Sequence, residues 1–202
     1  MPTVLKETYD PLPPQSPPRK RWTRAQCESL EASGIWEQEQ LELVGGELIS
    51  KMGKKVPHFF SLHALRRLLD GVFTPRLVYT EIPIDVAAAD NPTNEPEPDL
   101  VVLKEEIRDF GSNPQPSQLA LVVEVADSSL RFDLTVKAAL YARAGIEEYW
   151  VLDVNNRGLV AHRNPAAGHY TSVEYFKETE SVPPLAAPTS ALPVSEMLPP
   201  LL

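Results

Sequence analysis

The pattern of apolar and polar residues along the chain predicts an alternation of helices and strands. Helical spacing or capping signals mark residues 23–33, 57–71 and 133–145, the last with Asp133 as its expected cap and Gly145 as its end. In 57–71 the apolar repeat is Phe59, Leu62, Leu65 and Leu69. Strand patterns are found at 76–87, 98–103, 119–126, 147–154, 158–163 and 169–176, and two short runs around Gly45-Gly46 predict a hairpin. This order favours an α/β fold with a mixed central β-sheet flanked by helices.

Proline separates the ends of the chain from its middle. Six of the 21 prolines lie in residues 1–20 and six in 181–202. We therefore expect a Pro-rich N-terminal arm (1–20), a folded domain (21–180) and a Pro/Leu-rich C-terminal arm (181–202), both arms lying outside the core. The leucines of the C-terminal arm could pack on the domain or on a partner.

Length and composition are those of one soluble domain. The chain has 202 residues, 43% of them hydrophobic, and one cysteine, Cys27, which excludes an internal disulfide and a cysteine-based zinc site. Neither a secretory leader nor an apolar run of membrane-spanning length is present in the sequence. We expect a cytoplasmic protein that does not enter a membrane.

Charge is unevenly distributed. The net charge of −9 argues against general affinity for nucleic acid, yet no acidic residue lies between Glu47 and Asp70. This segment is either a solvated helix face or a place where a phosphate backbone binds. Its candidate nucleic-acid contacts are Lys54, Lys55, His58, Arg66 and Arg67.

The most apolar run, Leu119–Ala126, contains an acid, Glu124. A carboxylate buried there is costly unless it is paired, protonated or bound to a cation. Asp99 begins another apolar strand, "PDLVVL", and if the two strands pair, the carboxylates can converge. Such a pair suits Mg²⁺ or Mn²⁺. Alternatively, Asp99 is a strand-entry turn residue and Glu124 points outward from an edge strand.

Lys137 shares a helical stripe with Leu134, Ala138 and Tyr141. A lysine on that side either extends out to solvent along its apolar stem or meets a carboxylate. Two acids and a lysine are the set that metal-assisted phosphodiester cleavage uses: the acids hold the metal, and the lysine orients water or stabilises developing charge.

The segments "EPDLVVL", "LVVEVADSS" and "K…Y…G…EYWVLD", in that order, resemble the Uma2 family of endonucleases, over roughly 22–175. The resemblance implies a restriction-endonuclease-like, PD-(D/E)xK fold, with the PD and E of the motif at Pro98-Asp99 and Glu124. Ala126 stands where the motif's lysine would be, and Lys137 matches the lysine that similar members supply from the next helix. The resemblance further implies a catalytic role for Glu47, in "GGE", and a metal ligand in the backbone carbonyl of Val125.

The prediction is thus a Mg²⁺- or Mn²⁺-dependent endonuclease that hydrolyses phosphodiester bonds in DNA. Its catalytic residues would be Asp99, Glu124, Lys137 and Glu47. The alternative is a non-catalytic interaction module on a nuclease-like scaffold, forming a homodimer through "EYWVLDV" or the leucine-rich tail.

Overall fold

A mixed six-stranded sheet forms the centre of the protein. The computed structural model describes residues 18–36, 39–51, 55–108 and 111–201. Its strands are β1 (Leu41–Val44), β2 (Glu47–Ser50), β3 (Val78–Thr80), β4 (Leu100–Leu103), β5 (Leu119–Ala126), β6 (Glu148–Asp153), β7 (Gly158–Ala166), β8 (His169–Lys177), β9 (Ser181–Val182) and β10 (Leu192–Pro193). The central sheet has the order β3-β4-β5-β6-β7-β8, with β5 and β6 parallel and the other neighbours antiparallel. The predicted fold class is confirmed.

Helical segments connect and flank these strands. They are α1 (Arg24–Ala32), α2 (Val56–Val72), α3 (Leu130–Phe132) and α4 (Ala138–Arg143), with a π-helical turn (Asp133–Lys137) joining α3 to α4, and 3₁₀ turns at Asn91–Thr93, Pro116–Gln118 and Val194–Met197. The parallel β5–β6 pair needs a crossover connection, which α3, the π turn and α4 provide. No helix in the described parts of the chain is long and apolar enough to span a bilayer.

The sheet separates two apolar cores, and every residue of β5 is buried between them. On one face, α2 packs through Leu65 and Leu69. On the other face, α4 packs through Leu140 and Tyr141. A strand covered on both faces is expected to be apolar throughout, so its one acid needs a specific environment.

The C-terminal segment belongs to the first of these cores, contrary to the expectation of an arm outside it. Val182, Val194 and Met197 have no exposed surface, and Leu192 and Leu198 are also buried beside α2 and the sheet. Prolines make the segment extended, but its apolar side chains are spaced so that they reach the sheet. The N-terminal arm lies almost entirely outside the described residues.

Three local predictions need correction. The strand predicted over 76–87 ends at Thr80, because Glu81 takes a left-handed conformation (φ 51°) that turns the chain. The helix predicted from Asp133 begins at Leu130, so Asp133 lies inside it and is buried rather than capping it. Phe59, placed on the apolar stripe of α2, is 54% exposed, while the neighbouring His58 is buried instead.

Candidate active site

Antiparallel pairing of β4 and β5 brings the two predicted carboxylates together. Leu100 pairs with Val123, which sets Asp99 opposite Glu124 where β4 begins. The Asp99 Oδ2 atom accepts a hydrogen bond from the Val125 backbone N–H at 2.8 Å. Both side chains are buried. The alternative of an outward-pointing Glu124 on an edge strand does not fit, since β5 is a central strand.

Lys137, the last residue of the π turn, points into the same place. Its Nζ atom lies 2.8 Å from Glu124 Oε1 and 2.9 Å from Glu42 Oε1, and its side chain is 4% exposed. A π turn changes the direction in which the following residues project, and such turns are frequent at functional sites. The alternative of a lysine extending to solvent is therefore wrong, and Lys137 is held between two carboxylates.

The acidic residue that the hairpin contributes is Glu42, not Glu47. Glu42 in β1 is 5% exposed and binds both Lys137 and, through Oε2, the backbone N–H of Glu97 at 3.1 Å. Glu47 in β2 is half-buried and lies 3.8 Å from Arg21 and 3.9 Å from Arg19. The sequence held the signal for Glu42: like Glu124, it is an acid within an apolar strand, "LELV".

His58 contacts the Val125 carbonyl and Asp99, and Tyr141 holds the Glu124 carboxylate. Since a carbonyl can only accept, His58 Nδ1–H donates to the Val125 oxygen at 3.0 Å, and His58 Nε2 lies 3.4 Å from Asp99 Oδ1. The Tyr141 hydroxyl donates to Glu124 Oε1 at 3.2 Å. His58 was predicted to contact nucleic acid, but it is buried against Asp99 and Val125 instead.

These contacts line a cleft of ≈ 120 Å³, room for a few water molecules. Its lining includes Ser128 and Ser129, which come shortly after β5. Lys51 also lines it, with Nζ donating to the Glu97 carbonyl at 2.7 Å. The described residues of the lining include five carboxylates and two lysines: Glu42, Asp99, Glu124, Asp127 and Asp133, with Lys51 and Lys137.

Burial and charge perturb the ionisation of these groups. Burial raises the pKa of Glu124 to about 8, and the nearby Asp99 and Asp133 add to this against the lowering effect of Lys137. Burial likewise raises the pKa of Asp133 to about 6, although Lys137 and a hydrogen bond from Ser129 oppose it. Burial lowers the pKa of Lys137, but Glu124 and Glu42 outweigh that effect and the net shift is upward. Lys137 therefore remains an ammonium.

Comparison with known proteins decides the family. The model of the Uma2 family, described as "putative restriction endonuclease", matches residues 26–195, which is most of the chain. The chain belongs to the Uma2 family. No curated protein matches it significantly.

A solved structure resembles this Uma2 protein closely in fold. It is the crystal structure of a protein described as a "putative nuclease" from Anabaena variabilis, with a TM-score of 0.63 and 16% sequence identity. The similarity covers 79% of this chain and 90% of that one. At this identity the likeness establishes the fold, which is nuclease-like, and family membership supports a nuclease-like function.

The basic residues predicted to contact nucleic acid differ in their exposure and in their ion-pair partners. Lys55 and Arg67 are exposed in the Uma2 chain, Lys55 lying 4.0 Å from Asp127. Arg66 is partly buried and pairs with Asp70 at 2.8 Å. Lys54 lies outside the described residues. Lys55 and Arg67 are thus exposed to a phosphate backbone, although Lys55, like Arg66, has a carboxylate within ion-pair distance.

Proposed function

We propose that this protein is a metal-dependent endonuclease that hydrolyses phosphodiester bonds in DNA. The observation that carries the proposal is the convergence of Asp99, Glu124 and Lys137 at the bottom of one cleft. Their types match the set that metal-assisted phosphodiester hydrolysis requires, and family membership supports the same class of reaction.

The donor set of the cleft fits Mg²⁺ or Mn²⁺. Asp99, Glu124 and the Val125 carbonyl offer hard oxygen donors, and carboxylates outnumber ammonium groups in the lining. No group of three or more His, Cys, Asp or Glu side chains in the described ranges is arranged as a metal cage. Mg²⁺ is characteristically held by one or two carboxylates, with water and substrate phosphate completing its shell, so an open site of this kind suits it.

Asp99, Glu124 and the Val125 carbonyl would hold the ion. The Val125 carbonyl oxygen has a second lone pair besides the one that faces His58. When bound, the ion would supply a water of lowered pKa and neutralise charge on the phosphate.

The protein's own side chains position the reacting groups. Glu42 and Glu124 hold the Lys137 ammonium in one place, where it can orient the attacking water or stabilise the negative charge that develops on the phosphoryl oxygens as the bond forms. Tyr141 fixes the Glu124 carboxyl, and His58 fixes the Val125 carbonyl. Preorganised groups of this kind do not need to reorient during the reaction.

A cleavage assay on labelled DNA with Mg²⁺ or Mn²⁺ tests the proposal. We expect wild type to cleave. Two variants should each lower turnover by a factor on the order of 10² or more. They are Glu124→Gln, which keeps the size of the side chain, and Lys137→Met, which keeps the apolar stem. The matched control is Lys104→Met, because Lys104 is a surface lysine 3.8 Å from Glu147 and outside the cleft.

Thermal unfolding of each variant separates lost chemistry from lost structure. Lys137→Met leaves two buried acids, Glu42 and Glu124, without their ammonium partner, so we expect it to lower stability. Glu124→Gln keeps a neutral hydrogen-bond acceptor for Lys137 and Tyr141. Folded variants that cleave like wild type would contradict the assignment. Absence of cleavage by wild type across single- and double-stranded DNA would favour the non-catalytic interaction module.

A further inference from the structure

The solvent side of α2 carries an exposed apolar and aromatic surface. Val56 is 80% exposed, Phe59 54% and Phe60 44%. His63 and Arg67 are exposed on the same helix. At 3.6 residues per turn, these five positions fall within an arc of about 100°. We call this set the α2 face: Val56, Phe59, Phe60, His63 and Arg67.

The α2 face is continuous with the cleft. The Phe59 ring packs edge-to-face on the ring of His58, with centroids 5.9 Å apart. His58 is itself part of the cleft lining and contacts Asp99 and Val125. Lys55, at the start of α2, lies 4.0 Å from Asp127, another residue of the lining. The α2 face and the cleft lining are therefore in contact through the rings of Phe59 and His58.

The charge on the α2 face points to an anionic partner. The nearest acid on the helix, Asp70, is paired with Arg66, which leaves Lys55, His63 and Arg67 exposed. The protein as a whole has a net charge of −9, so the sign of these exposed side chains is opposite to its overall charge. Phosphates are attracted to such a surface, whereas an acidic protein surface elsewhere would repel them.

We propose that the α2 face binds the unpaired bases of a nucleic-acid strand whose backbone enters the cleft. Phe59 and Phe60 are stacking platforms for bases, and Lys55 and Arg67 contact phosphates. Aromatic rings bind bases in this way without regard to sequence, because every base has a flat face. Bases inside a duplex are already stacked on each other, so the preferred substrate class is single-stranded DNA or DNA with unpaired segments. This inference rests on the proposed nuclease function.

Stacking can be measured directly with a single-stranded oligonucleotide that contains 2-aminopurine, whose fluorescence falls when it stacks. Titrations are done in EDTA, so that neither metal binding nor cleavage is needed. We expect saturable quenching by wild type, and Kd weakened about tenfold with loss of quenching in Phe59→Leu. Phe59→Trp should restore both. Tyr175→Leu, which removes an aromatic ring that is 53% exposed on β8, is the matched control and should behave like wild type.

The salt dependence of binding separates the two kinds of contact. Phe59→Leu should leave the slope of log K against log salt unchanged, whereas Arg67→Gln should reduce its magnitude by about 0.7. Blunt duplex DNA of the same length should bind more weakly than the single strand. Quenching that survives in Phe59→Leu, or tighter binding of the duplex, would overturn the proposal. Because no step in this assay requires cleavage, its failure is distinguishable from failure of the nuclease assignment.

Discussion

At the scale of single residues, the site is an acid–lysine–acid arrangement in which Lys137 bridges Glu42 and Glu124. A buried ammonium between two carboxylates stays charged, and its direction is fixed by both partners. Removing one partner of a buried pair leaves the other without compensation, which is strongly unfavourable. We infer that Glu42 acts on the reaction through the position and charge of Lys137.

The two acids of the hairpin provide a matched test of this inference. Glu42→Gln should lower turnover on the order of 10²-fold. It should also lower the pKa of the Lys137 ammonium, because Lys137 loses a carboxylate that raises it. Glu47→Gln should leave both the turnover and that pKa unchanged, since Glu47 faces the surface residues Arg19 and Arg21. Equal effects of the two substitutions on turnover and on the pKa of Lys137 would contradict the assignment.

Three residues of the cluster could be predicted from the sequence, whereas for the fourth, Glu42, the sequence offered a signal but also the competing candidate Glu47. Asp99, Glu124 and Lys137 stand out because each is a charged residue in an apolar strand or stripe, and burial of charge demands a partner. The choice between Glu42 and Glu47 depends on which strand of the hairpin faces the sheet. The orientation of the hairpin is set by tertiary packing of β1 against the chain near Glu95 and Glu97. The local alternation of apolar and polar residues therefore does not determine it.

At the scale of elements, the largest departure from the sequence prediction is the C-terminal segment. Its prolines predict an extended chain, and the chain is extended, but extension does not prevent burial. Leu192, Val194, Met197 and Leu198 pack into the core that α2 shares with the sheet. The segment therefore covers the helix that presents His58 to the cleft, so its packing supports the site.

Substitution within this segment tests whether it carries stability. Met197 has no exposed surface, so Met197→Ala should lower the free energy of unfolding by between about 2 and 5 kcal/mol. Leu201→Ala, a few residues further along, removes a side chain that is 76% exposed and should change it by less than about 0.5 kcal/mol. Urea denaturation measures both. A Met197→Ala variant as stable as Leu201→Ala would restore the interpretation of this segment as an arm outside the core.

At the scale of the whole molecule, the sheet order and the crossover determine where the chemistry lies. The predicted order of elements was confirmed, and the two strands on whose pairing the convergence depended, β4 and β5, pair antiparallel and set Asp99 opposite Glu124. The π turn could not be predicted, because its pattern of apolar residues differs little from that of an ordinary helix. An acidic chain thus holds a carboxylate-lined cleft bordered by a basic, aromatic helix face.

The central claim is that Asp99 and Glu124 hold a divalent cation, and calorimetric titration with Mn²⁺ tests it most directly. Burial raises the pKa of Glu124 in the metal-free protein, so protons compete with the cation for its carboxylate. Titration at pH 7 should show one Mn²⁺ site, the apparent affinity should rise with pH, and Asp99→Asn should abolish binding. Absence of Mn²⁺ binding, or equal binding by Asp99→Asn, would contradict the account.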